Sequence, residues 1–173
     1  IANAATPGCQ VLVVKDGTVV FNKSYGHFTY DKEKPVTNNT VYDIASITKV
    51  AATLQAVMFL KDRGKIELDE KIATYLPELE GTNKENILVR DLLTHHAGLQ
   101  STLGHWQKTL KSKKLLKQTF YASTQTDVFP NEVIPGVSSI KSMEDSLWAW
   151  TVRSPLLQKQ KGEETYSYKY SDL

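Results

Sequence analysis

A single cysteine among 173 residues removes one class of explanation at once. Cys9 has no intrachain partner, so there is no disulfide framework, and the redox compartment is undetermined. It sits between Gly8 and the apolar run Val11–Val14, the setting of a small buried strand residue. Nothing beside it would depress a thiol pKa, which argues against a catalytic cysteine. Long apolar runs are missing too: no stretch approaches the ~20 residues that a membrane-spanning helix needs. Charge of one sign is scarce. Lys and Arg number 21 against 19 Asp and Glu, a net charge of +2, which gives no footing for nucleic acid or a strongly anionic membrane. The one basic run, Lys111-Ser112-Lys113-Lys114, reads as a solvated helix face. No initiator Met or charged-then-apolar leader opens the chain at Ile1, and no Gly, Pro or charged tail follows the aromatic stretch before Leu173. The chain therefore reads as a piece of something longer, with a signal or an upstream domain removed.

What is present has the composition of a soluble globular protein. Hydrophobic residues make up 40% and charged residues 23%, and the length suits one well-buried core, so a single domain over residues 1–173 is expected. The runs Gln10–Lys15 and Thr18–Asn22 flank Asp16-Gly17. Asp and Gly tolerate the positive φ of a type I′ turn, so this is a β-hairpin signal. Residues 26–40 are polar and carry Pro35 and Asn38-Asn39, an irregular connection. From Ser46 the period changes. Ile47, Val50, Ala51, Leu54, Val57 and Met58 recur at steps of three and four, an apolar helical stripe that Gly64 would stop. A short helix is expected after Asp69, ending before Pro77, and another over Val89–Thr94, ending near Gly98. Leu103–Tyr121 and Ser142–Val152 have the look of helices, separated by a long loop with Pro130, Pro135 and Gly136. The resulting fold class is α+β: an N-terminal β-hairpin of an antiparallel sheet within residues 1–45, then a mainly helical region over 46–173, with the sheet unfinished.

Chemistry is legible in Tyr42-Asp43-Ile44-Ala45-Ser46-Ile47-Thr48-Lys49. If Ser46 opens the helix, Lys49 shares its face about 5–6 Å away at Cβ, and the amine can reach the hydroxyl. An amine takes a proton only when neutral, which requires burial or a neighbouring cation. The apolar stripe burying this helix would supply that desolvation. Backbone N–H groups of the first helical turn could stabilise a developing oxyanion. Spacing alone does not decide the matter, because a serine near a helix start beside an exposed lysine gives the same pattern.

Three further segments supply context, and they occur in a fixed order around the Ser-x-x-Lys pair. They are Pro7–Gly17, then Gly64-Lys65-Ile66-Glu67-Leu68-Asp69-Glu70-Lys71-Ile72-Ala73-Thr74-Tyr75-Leu76-Pro77, then Val89-Arg90-Asp91-Leu92-Leu93-Thr94-His95-His96-Ala97-Gly98-Leu99. With Ser46 and Lys49 they resemble the serine β-lactamase and penicillin-binding-protein superfamily, in its class C β-lactamase-like branch. The third segment is similar to that branch's Leu-Leu-Thr-His-(Thr/His)-(Ser/Ala)-Gly-Leu. The resemblance covers most of residues 6–99. It implies an incomplete β-lactamase/transpeptidase-like fold, with Ser46 as nucleophile and Lys49 as activating base. Its substrates are D-Ala-type peptidoglycan peptides, β-lactams or small esters, and no metal or organic cofactor is implied. The wording of residues 6–99 also resembles hydrolase domains fused behind a glycoside hydrolase family 3 domain. That implies an upstream glycoside hydrolase partner, cell-wall turnover, and a place in the cell envelope or periplasm.

Tyr170-Ser171-Asp172 resembles the branch's Tyr-x-Asn motif. This implies Tyr170 as a proton relay near the nucleophile and Asp172 as a substrate-binding residue; a partly buried aromatic cluster of Tyr166, Tyr168 and Tyr170 is the alternative. Asp in place of Asn matters, since a carboxylate cannot donate to a substrate carbonyl unless protonated and favours a charged lysine nearby. That weighs against efficient β-lactam turnover. The branch's (Lys/His)-(Thr/Ser)-Gly motif, which lies on a later strand, is absent from the chain, so half a site is expected here and the C-terminal half elsewhere. His27, His95, His96 and His105 do not form a metal-ligand pattern: adjacent His side chains diverge on a helix, and no carboxylate stands at ligand spacing. His95 is expected to tie its loop by hydrogen bonds. A serine hydrolase is the leading reading, and a non-catalytic muropeptide-binding module or a structural cap retaining the fold are the alternatives.

Overall fold

The computed structural model describes residues 5–112 and 115–173. These divide into two compact units, Ile1–Val50 and Ala51–Leu173. The class is α+β, with small antiparallel sheets and short helices.

In the first unit, β1 (Gly8–Lys15) pairs antiparallel with β2 (Thr18–Gly26). Asp16 at φ 50° and Gly17 at φ 75° make the turn, the left-handed pair that the Asp-Gly dipeptide predicts. At the open end Gly8 faces Gly26. A Cβ on Gly8 would lie 2.4 Å from the His27 carbonyl oxygen, and one on Gly26 2.2 Å from that of Pro7. Only glycine admits this backbone approach, which the His27 N–H to Pro7 carbonyl bond of 3.0 Å closes. A register shift at Val13/Val14 puts Val13 opposite Phe21 and Val14 opposite Val19, a bulge of one extra residue. Cys9 sits opposite Tyr25 and is half-buried rather than buried. The polar connection folds back on the hairpin, where the Val36 N–H donates to the Gly26 carbonyl at 3.0 Å.

A helix runs over residues 47–62, beginning in the first unit and continuing in the second. Its stretch Lys49–Thr53 is π-helical, and α1 (Leu54–Asp62) follows. Gly64, at φ 62°, ends it. The Gly64 N–H reaches Lys61 O at 3.0 Å and the Lys65 N–H reaches Leu60 O at 2.8 Å, the paired bonds of a Schellman stop. The expected stripe is less buried than its period implies: Leu54 and Val57 are half-buried, while Ile47, Val50 and Met58 are exposed. An amphipathic face is buried only by a second layer laid over it, and over Ile47, Val50 and Met58 that cover is incomplete.

The core lies in the second unit. Ala73, Leu79 and Val152 form one cluster, and Ile87, Ala97 and Leu99 another, with Ile72 packed against both. Two strand-like segments bring Ile72 there, through bonds from the Ile72 N–H to Ile87 O (2.8 Å) and from the Val89 N–H to Glu70 O (3.1 Å). The helix expected after Asp69 is shorter than foreseen, a 3-10 turn over Ile72–Thr74. A second 3-10 turn, Pro77–Leu79, opens on the proline, whose fixed φ and missing N–H suit a first helical position. Helix α2 (Val89–Leu93) follows, and its Asp91 carboxylate accepts from the Leu88 N–H at 3.4 Å.

Residues 100–140 differ from expectation. Among the described residues of this stretch only α3 (His105–Lys108) is helical; β3 (Leu110–Ser112) and β4 (Leu115–Leu116) then pair antiparallel. Lys111 and Ser112 thus stand in a strand, not on a helix face, and Lys113 and Lys114 lie outside the described residues. The expected long loop holds a three-stranded sheet of order β5 (Tyr121–Ala122), β7 (Val137–Ser139), β6 (Asn131–Ile134). Pro135-Gly136, with Gly136 at φ 75°, is its hairpin turn rather than a breaker. Strands of two to four residues are too short to display an alternation, which is why they read as helix or loop. Helix α4 (Met143–Val152) stands where expected, with Glu144 and Asp145 in its first turn favouring the dipole.

Candidate active site

Ser46 and Lys49 meet in the first unit. The Lys49 Nζ lies 3.4 Å from the Ser46 Oγ, with Ser46 exposed and Lys49 half-buried. The turn before them is strained: Ala45 holds φ 43°, a left-handed conformation that costs a residue with a Cβ about 1–2 kcal/mol. Asp43 holds it there, its Oδ1 accepting the Ala45 N–H at 2.7 Å, an Asx turn. Strain of this kind gathers at functional sites, and the Asp two residues ahead was the sequence signal for it. The first helical turn is tightly wound, with the N–H groups of Ile47, Thr48 and Lys49 donating to the carbonyls of Ile44, Ala45 and Ser46 at 2.9–3.1 Å. Those three donors are therefore engaged, and the expectation that the helix's first turn holds an oxyanion does not extend to them. The desolvation expected from a buried stripe is also missing around Ile47 and Val50, which are 60% and 58% exposed.

Tyr170 and Asp172 belong to the second unit, on an extended segment docked along the loop that follows α2. The Lys169 N–H donates to His95 O (2.9 Å), the Ser171 N–H to His95 Nδ1 (3.3 Å), the Ser171 Oγ to Gln100 O (2.7 Å) and the Asp172 N–H to Ser101 O (3.0 Å). Ser171 is buried, whereas Tyr170 and Asp172 are exposed. The three tyrosines do not form one cluster: Tyr168 and Tyr170 lie against His95, with ring centroids 6.0 and 4.7 Å away, while Tyr166 covers Gly98. His95 ties its loop as expected, but to a segment more than seventy positions on.

Gly98 shows how tight that docking is. It holds φ 72°, and a Cβ there would lie 2.5 Å from Cδ1 of Tyr166. Gly98→Ala is therefore expected to destabilise the second unit by about 1–3 kcal/mol, from the left-handed φ and the displaced ring together. In a Tyr166→Ala background only the backbone share should remain, about 1–2 kcal/mol. Urea titration of the four proteins checks both numbers.

Two ionisable groups of the second unit had no sequence signal. Lys84 is buried, at 4% exposure. Its ammonium donates to Asn83 Oδ1 (3.0 Å), Val152 O (2.9 Å) and Ser154 O (2.5 Å). Burial pushes its pKa below the ordinary lysine value. His105 packs on Trp150 at 5.7 Å between centroids and has Nε2 3.0 Å from Thr151 Oγ1; burial first, then the Lys108 cation, lowers its pKa. An apolar cavity of about 140 Å³ lies among Leu76, Leu79, Ile87, Leu92 and Val152, and none of the four candidate site residues lines it.

Among proteins of known sequence, "Protein flp" of Staphylococcus aureus (strain NCTC 8325 / PS 47) is 35% identical over 101 residues, 56% of this chain and 20% of its own length. A Salmonella heidelberg (strain SL476) protein named "Putative D-alanyl-D-alanine carboxypeptidase" is 30% identical over 158 residues, 83% of this chain and 36% of its own. Among solved structures, a class C beta lactamase superposes with a TM-score of 0.52 at 31% identity, over 60% of this chain and 29% of that one. The chain thus spans between about a fifth and about a third of the length of these relatives. The Beta-lactamase family model matches residues 1–163, a span that takes in Ser46, Lys49 and the His95 loop and stops short of Tyr170, and the chain belongs to that family.

Proposed function

We propose that Ser46 forms an acyl-enzyme, with Lys49 as the base that activates it and Tyr170 as the relay that returns a proton to the leaving group. The approach of the Lys49 Nζ to the Ser46 Oγ carries this reading. In the first step the serine oxygen adds to a carbonyl carbon while its proton passes to the lysine amine, which must be neutral to receive it. Collapse of the tetrahedral intermediate expels an amine or alcohol, which leaves with a proton delivered through the tyrosine hydroxyl. Water then attacks the serine ester by the reverse route and restores the free hydroxyl.

Family membership supports serine hydrolase chemistry. The proposed substrates are D-Ala-type peptidoglycan peptides, β-lactams or small esters, in the cell envelope. Asp172 favours the peptides and esters: an exposed carboxylate offers no donor to a lactam-ring substituent. The full-length protein, incubated with a fluorophosphonate probe, is expected to gain one adduct, on the proteolytic peptide that carries Ser46. Ser46→Ala should gain none. A folded full-length protein that stays unlabelled, or carries its label on another residue, would remove the acyl-enzyme and leave a binding module.

A further inference from the structure

We infer that His95 is a positioning residue for Tyr170, an inference that rests on the reading of Tyr170 as proton relay. His95 brackets that tyrosine from both sides. Its backbone carbonyl accepts the Lys169 N–H at 2.9 Å, and its ring Nδ1 accepts the Ser171 N–H at 3.3 Å. Between these two anchors the Tyr170 ring packs on the imidazole, with centroids 4.7 Å apart and planes at 46°. Carbonyl and ring can serve neighbouring N–H groups at once because His95 itself sits at φ 58°. A histidine held in the left-handed region costs free energy, and such strain persists where the surroundings over-determine it.

The chemistry of the bracket is specific. A neutral imidazole that accepts at Nδ1 carries its proton on Nε2, so the bond to Ser171 fixes the tautomer. Hydrogen bonds on either side of Tyr170 fix the φ and ψ that aim its side chain, and ring packing restricts its rotation. A proton relay has to lie within hydrogen-bond reach of the groups it serves, and a misplacement near 1 Å can cost on the order of 100-fold in rate. Tyr170 is 36% exposed, and the bracket adds two main-chain anchors to the packing of its ring.

His95→Gly tests this cleanly, because glycine takes the left-handed φ without strain and keeps the carbonyl that receives Lys169. Only the ring is lost. The full-length protein is labelled with a fluorophosphonate over a range of probe concentrations, separating kinact from KI. His95→Gly is expected to lower kinact by about 10- to 100-fold while KI stays within about 3-fold. His95→Asn should recover most of the loss, since asparagine tolerates the same φ and presents an acceptor oxygen. In a Tyr170→Phe background, itself slow, His95→Gly should cost nothing further. Wild-type kinact in His95→Gly beside a slow Tyr170→Phe overturns the positioning role and leaves Tyr170 standing. An undiminished His95→Gly loss in the Tyr170→Phe background shows that the histidine acts on something else, and also overturns it. Wild-type kinact in Tyr170→Phe overturns the relay itself, and the positioning role with it.

Discussion

Lys49→Met is expected to slow acylation of Ser46 by about 10²–10⁴-fold, the range that loss of a positioned general base produces. The interaction at stake is the 3.4 Å approach of Nζ to Oγ. A charged amine there donates toward the serine oxygen, which is the wrong direction for activation; the base role begins only when that proton has left. Methionine keeps the length of the side chain and its apolar stem, so the half-buried packing of residue 49 is largely retained. Lys49→Arg separates the two ways a lysine can help. A guanidinium stays protonated at any working pH and cannot take a proton. If Lys49 is the base, arginine is as slow as methionine, with the probe read by kinact in each protein. An arginine variant that keeps most of the rate would show instead that the positive charge alone is needed, and the proton would need another acceptor.

The second large effect concerns stability. Lys84→Ala is expected to destabilise the second unit by about 2–4 kcal/mol, through a cavity and the loss of a buried donor. Val152 O then loses the Lys84 ammonium, whereas Ser154 O keeps the Asn83 amide at 3.1 Å. Lys84→Met retains volume and isolates the polar share, about 1–3 kcal/mol. In thermal melts at neutral pH these correspond to drops of roughly 5–15 °C and 2–12 °C. The pH dependence has a definite sign. Burial lowers the folded-state pKa of Lys84 below the 10.5 of an exposed lysine, so between the two values the unfolded chain binds more protons. Stability therefore rises with pH across that window in the wild type, and this contribution to the slope is absent from Lys84→Met. A methionine variant as stable as wild type, with the same alkaline slope, would show that the buried ammonium contributes nothing.

Residues near one another in sequence were the ones the sequence could place. Asp16-Gly17 specified its turn because two left-handed residues in a row exclude most alternatives, and the hairpin followed. Ser46 and Lys49 meet because helical spacing brings them together. Gly64 ended its helix for the same local reason. What could not be read depended on partners far along the chain. Lys84 stands in a polar loop with nothing around it to suggest burial; the carbonyls that hold it belong to residues 152 and 154. The role of His95 is likewise set by residues 169 and 171. The π-helical stretch Lys49–Thr53 escaped for a different reason. A π turn takes in one more residue than an α turn, so a stripe counted at steps of three and four across it joins two faces that are out of phase. Ile47 before it and Val50 within it are exposed, whereas Leu54 and Val57, after it in α1, are half-buried.

The long reach of the Lys84 and His95 contacts also sets an order of events during synthesis. A nascent chain leaves the ribosome N-terminus first, so the hairpin, with partners close in sequence, can form early. Lys84 has to wait 70 residues for Ser154, and His95 waits 76 for Ser171. Closing the first of these loops brings the ends of the second closer, since the two spans overlap, and lowers the entropy its closure costs. Until residue 152 emerges, the cluster of Ala73 and Leu79 lacks Val152, and an apolar half-core stays open to water. Between the completion of α2 and the arrival of α4, that open half-core is a surface on which the chain can aggregate.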